Sequence, residues 1–143
     1  MIQRITYNEI LPLWEKLWYY TPIVPTSSMK YLGGFNARYH LEKPHYFGWI
    51  EDDKIVGVNS CFRTNLSYRS RGLYVEPDYR NRSIAQHLLL AVSMIAKING
   101  AIYIWSLPRK SALNVYERFG FQKKSDFITE TDYGPNCYVY KKL

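Results

Sequence analysis

Val75-Glu76-Pro77-Asp78-Tyr79-Arg80-Asn81-Arg82-Ser83-Ile84-Ala85-Gln86 is the stretch whose reading decides the fold. A β-rich run, Gly72-Leu73-Tyr74-Val75, is stopped by Pro77, and the apolar spacing that follows predicts a helix from about Arg82 to Ile98. A helix N-terminus leaves several backbone N–H groups without intrahelical partners and carries a partial positive charge. Arg80 and Arg82 at its mouth make a site for a phosphate or pyrophosphate. The stretch is neither the G-x-x-x-x-G-K-[ST] loop of a nucleoside triphosphatase nor the G-x-G-x-x-G of a dinucleotide fold.

A second segment lies downstream, Ala112-Leu113-Asn114-Val115-Tyr116-Glu117-Arg118-Phe119-Gly120-Phe121. Ala112, Val115, Tyr116 and Phe119 fall at i, i+3, i+4 and i+7, one face of a helix. Gly120 stands where a left-handed residue ends such a helix, and Phe121 opens a strand. Alone, each segment is a strand–helix or helix–glycine–strand unit common in α/β proteins. Together, as V-x-P-x-Y-R-x-x-[small]-x-A followed by A-x-x-[LV]-Y-x-x-x-G-F, they resemble the acetyl-CoA loop and the later helix of the GCN5-related N-acetyltransferases (GNAT).

The remaining sequence is consistent with one domain over residues 1–143, with 47% hydrophobic and 17% aromatic residues to build a core. Cys61 and Cys137 form no CxxC pair and sit in apolar, strand-like surroundings, so buried free thiols are expected and no metal site. No apolar run approaches the ~20 residues of a membrane span and no signal-peptide layout opens the chain, which reads as cytoplasmic. The net charge of +7 is spread along the chain, including Arg63, Arg69, Arg71, Arg80, Arg82, Arg109, Lys110, Arg118, Lys123 and Lys124. With no nucleic-acid-binding motif, a polyanionic cofactor and an acidic acceptor explain that charge better than nucleic acid does. A homodimer is left open.

Along the chain, Gln3 to Thr6 reads as a first strand, and Asn8 as the cap of a helix carrying Ile10, Leu11, Trp14, Leu17 and Trp18. Thr21 to Pro44 is expected to hold a short helix around Ser28 to Tyr31 and a mobile loop through Gly33-Gly34. Tyr46–Glu51 and Lys54–Arg63 form a hairpin turned at Asp52-Asp53, and Ser67–Val75 pairs next. The helix to Ile98 presents Ile84, Leu88, Val92 and Ile95, stops at Gly100, and hands over to a buried strand, Ala101–Ser106. A helix over 110–119 and strands near Gln122–Glu130 and Asn136–Lys142, turned at Gly134-Pro135, complete the chain. This order matches the resembled fold: α/β (α+β), with a mixed, mostly antiparallel sheet of about seven strands flanked by about four helices and splayed to hold acetyl-CoA.

The resemblance implies an acyltransferase in which a primary amine of a small molecule or peptide attacks the thioester of acetyl-CoA directly. It places the backbone of Leu73, Tyr74 and Val75 along the pantetheine arm, and the turn of Arg80, Asn81, Arg82, Ser83, Ile84 and Ala85 at the pyrophosphate. Ser83 departs from the family, which usually has glycine there; a helical first turn would accept its dihedrals. Tyr116 matches the family's motif tyrosine and is the expected general acid toward the leaving thiolate, against a purely packing role. Asn114 is a further expected contact of the coenzyme arm. The general base does not carry over, because the strand glutamate of some members is Arg69 here. Glu76 beside the loop, Glu51, His45 and a water chain are the alternatives. Arg69 and Arg71 share strand parity with Leu73 and Val75, hence one sheet face, and would suit a carboxylate-bearing acceptor unless they are ordinary surface arginines. The competing function is a GNAT-fold acyl-CoA-binding module that is catalytically weak or inactive.

Overall fold

The chain begins with a strand, β1 (Ile2–Ile5), that Thr6 converts into a helix start. The Thr6 hydroxyl accepts from Glu9 N–H at 3.2 Å and Glu9 Oε1 accepts from Thr6 N–H at 2.9 Å, a reciprocal capping box. Helix α1 (Tyr7–Leu17) thus starts ahead of Asn8, the expected cap, which lies exposed in its first turn. The computed structural model describes residues 1–19, 43–64, 66–129 and 135–143. The short helix and loop expected within Thr21 to Pro44 lie outside the described residues up to 42, as does Gly134 of the last turn.

Strands β2 (His45–Glu51) and β3 (Lys54–Thr64) meet at Asp52 and Asp53, with φ of 53° and 58°. Two left-handed residues match the twist of a tight hairpin, and aspartate tolerates them. β4 (Ser67–Val75) returns antiparallel to β3, then a 3-10 turn (Pro77–Tyr79) leads into α2 (Ile84–Ile98). β5 (Tyr103–Ser106), a 3-10 turn (Lys110–Ala112), α3 (Leu113–Phe119), β6 (Gln122–Lys123) and β7 (Val139–Lys142) follow. The sheet runs β1-β2-β3-β4-β5-β7-β6, with β4 and β5 parallel and every other pair antiparallel. Among the described residues three α-helices flank it. None is long and apolar enough to cross a membrane.

Each face of the sheet has its own core. Ile84, Leu88, Leu89, Val92 and Ala96 of α2 close over Val56, Cys61, Tyr68, Val75 and Ile104, with Tyr116 and Phe121 beside them. On the opposite face Ile10, Leu13 and Trp14 of α1 cover Val58. Of the expected α2 stripe, Ile84, Leu88 and Val92 are buried; Ile95 is half-buried, and Leu89 and Ala96 join the inner face.

Two strands are shorter than their sequence suggests, and local hydrogen bonds explain both. Ala101 N–H bonds the Ala96 carbonyl and Gly100 N–H that of Lys97, with Gly100 at φ 77°. Ala101 therefore finishes the α2 C-terminus and β5 starts only at Tyr103. After Lys123 the Ser125 hydroxyl accepts the Tyr138 N–H at 2.9 Å, so a side chain replaces the ladder there. One bridge, Ile128 to Asn136, remains of the longer pairing expected.

Candidate active site

The site begins where two parallel strands part. β5 pairs with β4 only at Tyr68–Ile104 and Arg69–Trp105, whereas β3 pairs with β4 through to Val75. Beyond Arg69 the second edge of β4 faces a cleft of about 890 Å³ instead of a neighbouring strand. Leu73, Tyr74 and Val75 line one wall, Ser106 to Arg109 another, and Ser83 to Gln86 of the α2 entry close one end.

A bulge in β4 sets which side chains face which way. Gly57 and Val58 pair with Val75 and Tyr74, but Ser60 pairs with Arg71, so β4 spends one extra residue there. Gly72, at φ 82°, takes up the excess. Its carbonyl receives the Trp14 indole N–H at 2.9 Å, and a β-carbon on it would meet that ring at 2.2 Å. Parity flips across the bulge. Leu73 and Val75 pack toward α2, while Arg69 and Arg71 lie toward α1, so the four do not share one face.

Neither arginine is an ordinary surface residue. Arg69 is 7% exposed and lies 5.0 Å from the Trp105 ring; Arg71 is 5% exposed and lies 4.9 Å from both Trp14 and Trp18. Both line the cleft, with Lys16, Arg80, Arg109 and Arg118. Among the described residues no carboxylate and no imidazole lines it. The field inside is positive.

At the α2 entry, Asn81 and Ser83 hold φ of 63° and 64°. Ser83 is thus left-handed, not in the helical turn expected of it, a conformation that glycine adopts without steric cost. Its side chain makes no cap bond, leaving the first backbone N–H groups of α2 without a side-chain acceptor at the edge of the cleft. Arg80 donates through Nε to the Val75 carbonyl at 2.8 Å and lines the cleft beside Asn81, Ile84 and Ala85. Arg82 turns away: it pairs with Glu51 at 3.3 Å, stands over the Tyr79 ring and is not part of the lining.

Tyr116 is 3% exposed, with its hydroxyl at the fork of the strands. Ser106 Oγ lies 2.6 Å from the Ser70 carbonyl oxygen and 3.2 Å from Tyr116 Oη. The Ser106 hydroxyl is the donor in both contacts, its one proton shared between the carbonyl and the phenol oxygen. Burial pushes the phenol above its usual value, and the hydroxyls of Ser106 and Ser70, then the charge of Arg69, pull it back. The sequence singled out Tyr116 but neither serine, since a serine at a strand end carries no pattern of its own. Arg109, whose guanidinium donates to the Leu17 carbonyl, was likewise only one of many cations in the sequence.

Other expected site residues stand elsewhere. Asn114 faces solvent on α3 and does not line the cleft. Glu76 is ion-paired with Lys16 and lies 3.4 Å from the Tyr74 hydroxyl, outside the lining; Glu51 is engaged by Arg82, and His45 is also outside. Cys61 and Cys137 are buried free thiols away from the cleft, and burial pushes Cys61 up to about 12.

Residues 42–123, more than half of the chain, match the family model of the acetyltransferase (GNAT) domain, and the protein belongs to that family. A GNAT-family acetyltransferase from Staphylococcus aureus superposes with a TM-score of 0.71 at 20% identity, over 100% of this chain and 99% of that one. The PaiA N-acetyltransferase of Thermoplasma acidophilum, solved with coenzyme A, gives 0.71 at 16% identity, over 100% and 98%. An aminoglycoside 6′-N-acetyltransferase complexed with coenzyme A gives 0.72 at 13% identity, over 99% and 96%. At these identities the likeness is one of fold. A search of curated proteins finds no match.

Proposed function

We propose that the protein moves an acetyl group from acetyl-CoA to a primary amine of a small molecule or peptide, by direct attack within a ternary complex. The observation that carries this reading is the Tyr116 hydroxyl, buried where β4 and β5 separate and hydrogen-bonded to Ser106.

The unpaired edge of Leu73, Tyr74 and Val75 offers backbone partners to the amide-bearing pantetheine arm, as an added strand would. Arg80, Asn81, Ser83, Ile84 and Ala85 bring the α2 entry and one guanidinium to the diphosphate. Arg82, committed to Glu51, contributes to the field at the rim without lining the site. Asn114, exposed on α3, does not line the cleft.

As the amine nitrogen bonds to the acyl carbon, the carbon–sulfur bond breaks and charge builds on sulfur. A thiol titrates near 8.5 and a phenol near 10, so Tyr116 first stabilises the developing thiolate by hydrogen bonding. Its proton then follows, and the phenol recovers one from water. Neighbouring cations disfavour an ammonium ion, so the amine attacks as the free base; the proton its nitrogen then loses as the amide forms passes to water, balancing the one the phenol gives to the thiolate and takes back from water. Glu76, paired with Lys16, is not needed as the base in this scheme.

The lack of a carboxylate or imidazole among the described lining residues favours, as a second reading, a coenzyme-binding module without turnover. Thiol release from acetyl-CoA across a panel of primary amines separates the two. Turnover with at least one amine, lowered roughly 10²-fold in kcat by Tyr116→Phe at unchanged acetyl-CoA affinity, supports the enzyme. Tight acetyl-CoA binding with no turnover across the panel supports the module.

A further inference from the structure

We infer that Asn59 and Ser70 are positioning residues for Tyr116, part of a buried polar row that gives the phenol oxygen a donor and leaves the phenol proton to the cleft. This rests on the acetyl-transfer reading and adds to it two side chains that neither sequence motif contains.

The row crosses three neighbouring strands on one face. Asn59 lies two residues before Cys61 on β3, Ser70 two after Tyr68 on β4, and Ser106 two after Ile104 on β5; Cys61, Tyr68 and Ile104 all belong to the core beneath α2. Asn59 sits where the register between β3 and β4 shifts, opposite the bulge. Its Nδ2 donates to Ser70 Oγ at 2.9 Å, and its Oδ1 lies 3.3 Å from the same oxygen. Ser106 Oγ donates to the Ser70 carbonyl at 2.6 Å, one position beyond the last β4–β5 pair, and reaches Tyr116 Oη at 3.2 Å. The row ends on the phenol where the strands part.

Packing alone does not call for these groups. Asn59 and Ser70 are 0% exposed, on the face that carries Cys61, Tyr68 and Ile104. A buried amide or hydroxyl costs stability unless it is bonded, and apolar side chains would fill the same space without that cost. What the row supplies is direction. Ser70 Oγ accepts the shorter bond from Asn59, and 3.3 Å back to Oδ1 is long for a hydroxyl donor, so the phenol oxygen is the better place for the serine proton. Against the rise that burial gives the phenol, the Ser106 and Ser70 hydroxyls act downward, as donors to its oxygen do. A phenol that accepts from serines keeps its own single proton for another partner, and Tyr116 lines the cleft in which the thiolate leaves. The same donors steady the oxygen once that proton is given.

The test is a mutant cycle in kcat, with the full chain and the best amine of the panel. Ser70→Ala, which removes one oxygen atom, and Asn59→Ala should each lower kcat about 3- to 10-fold, the scale of one hydrogen bond, at unchanged acetyl-CoA affinity and amine KM. In the Tyr116→Phe background the same substitutions should change kcat by a factor of about one, because they act only through the missing hydroxyl. Asn59→Val takes the place of Asn59→Ala if that protein does not fold. Wild-type kcat in either single variant overturns the inference, as does an equal loss in both backgrounds, the mark of a packing role. Wild-type kcat in Tyr116→Phe itself would instead count against the reading of Tyr116 as the acid, and the inference would fall with it. If no amine turns over, carbon-13 NMR of protein labelled at tyrosine Cζ decides, with the Tyr116 signal assigned by its loss in Tyr116→Phe. Both substitutions should move that signal, which follows the hydrogen bonds at the phenol oxygen; a signal that either leaves in place overturns the inference.

Discussion

Ser83 holds φ 64° and ψ 13° immediately before α2, with no side-chain cap bond in return. A left-handed backbone costs an L residue about 1–2 kcal/mol relative to glycine, partly offset by the extra freedom glycine has when unfolded. Ser83→Gly should therefore raise the unfolding free energy by roughly 0.5–1 kcal/mol, read from urea denaturation at constant slope. A loss of stability would mean that the hydroxyl has a partner of its own. Tyr116→Phe should cost only about 0.5–1.5 kcal/mol of stability, one hydrogen bond in a retained ring packing, so a large fall in kcat cannot be ascribed to unfolding. Single positions were the most legible part of the site where a motif fixed them. Tyr116, Arg80, Asn81, Ser83, Ile84 and Ala85 line the cleft, but the division between Arg80 in the cleft and Arg82 on Glu51 depends on a strand far away in the sequence. No local pattern carries that.

At the level of elements the decisive feature is the β4 bulge. Strand alternation assigns faces by counting residues, and an inserted residue reverses the count beyond it, which is why Arg69 and Arg71 part company with Leu73 and Val75. Gly72 inside a strand pattern was the available hint. Gly72→Ala should be severe, by about 2–4 kcal/mol in denaturant unfolding, because the new methyl group meets the Trp14 ring at 2.2 Å on a backbone at φ 82°. A neutral effect would show that the bulge can relocate. The start of α1 was readable in full: Thr6 and Glu9 are the capping-box spacing, and a capping box marks a helix start more sharply than Asn8 alone. The ends of β5 and β6 were not, since a helix stop at Ala101 and the Ser125 hydroxyl claim backbone groups that apolarity alone assigns to strands.

For the whole molecule, seven strands with helices on both faces followed from the element order and the family resemblance, not from composition. Composition left the basic charge spread along the chain; folding gathers six of those cations around one cleft. The core also makes a pH statement. Burial raises Cys61 from a usual 9.0 to about 12. A thiol raised on folding keeps its proton while the unfolded chain releases it, so its stabilisation is complete below pH 9 and is withdrawn as pH climbs toward 12. Unfolding free energy under reducing conditions should fall by about 1.4 kcal/mol per pH unit across that window from Cys61 alone, and less steeply in Cys61→Ala.

The central claim is that the gap between β4 and β5, closed by the α2 entry, takes acetyl-CoA. Calorimetric titration of acetyl-CoA into the protein, beside the Arg80→Glu variant, tests it most directly. The account predicts one site per chain, weakened about 10- to 100-fold when a negative charge replaces Arg80 at the phosphate end. No binding by the wild type, or equal affinity in the two proteins, would contradict it.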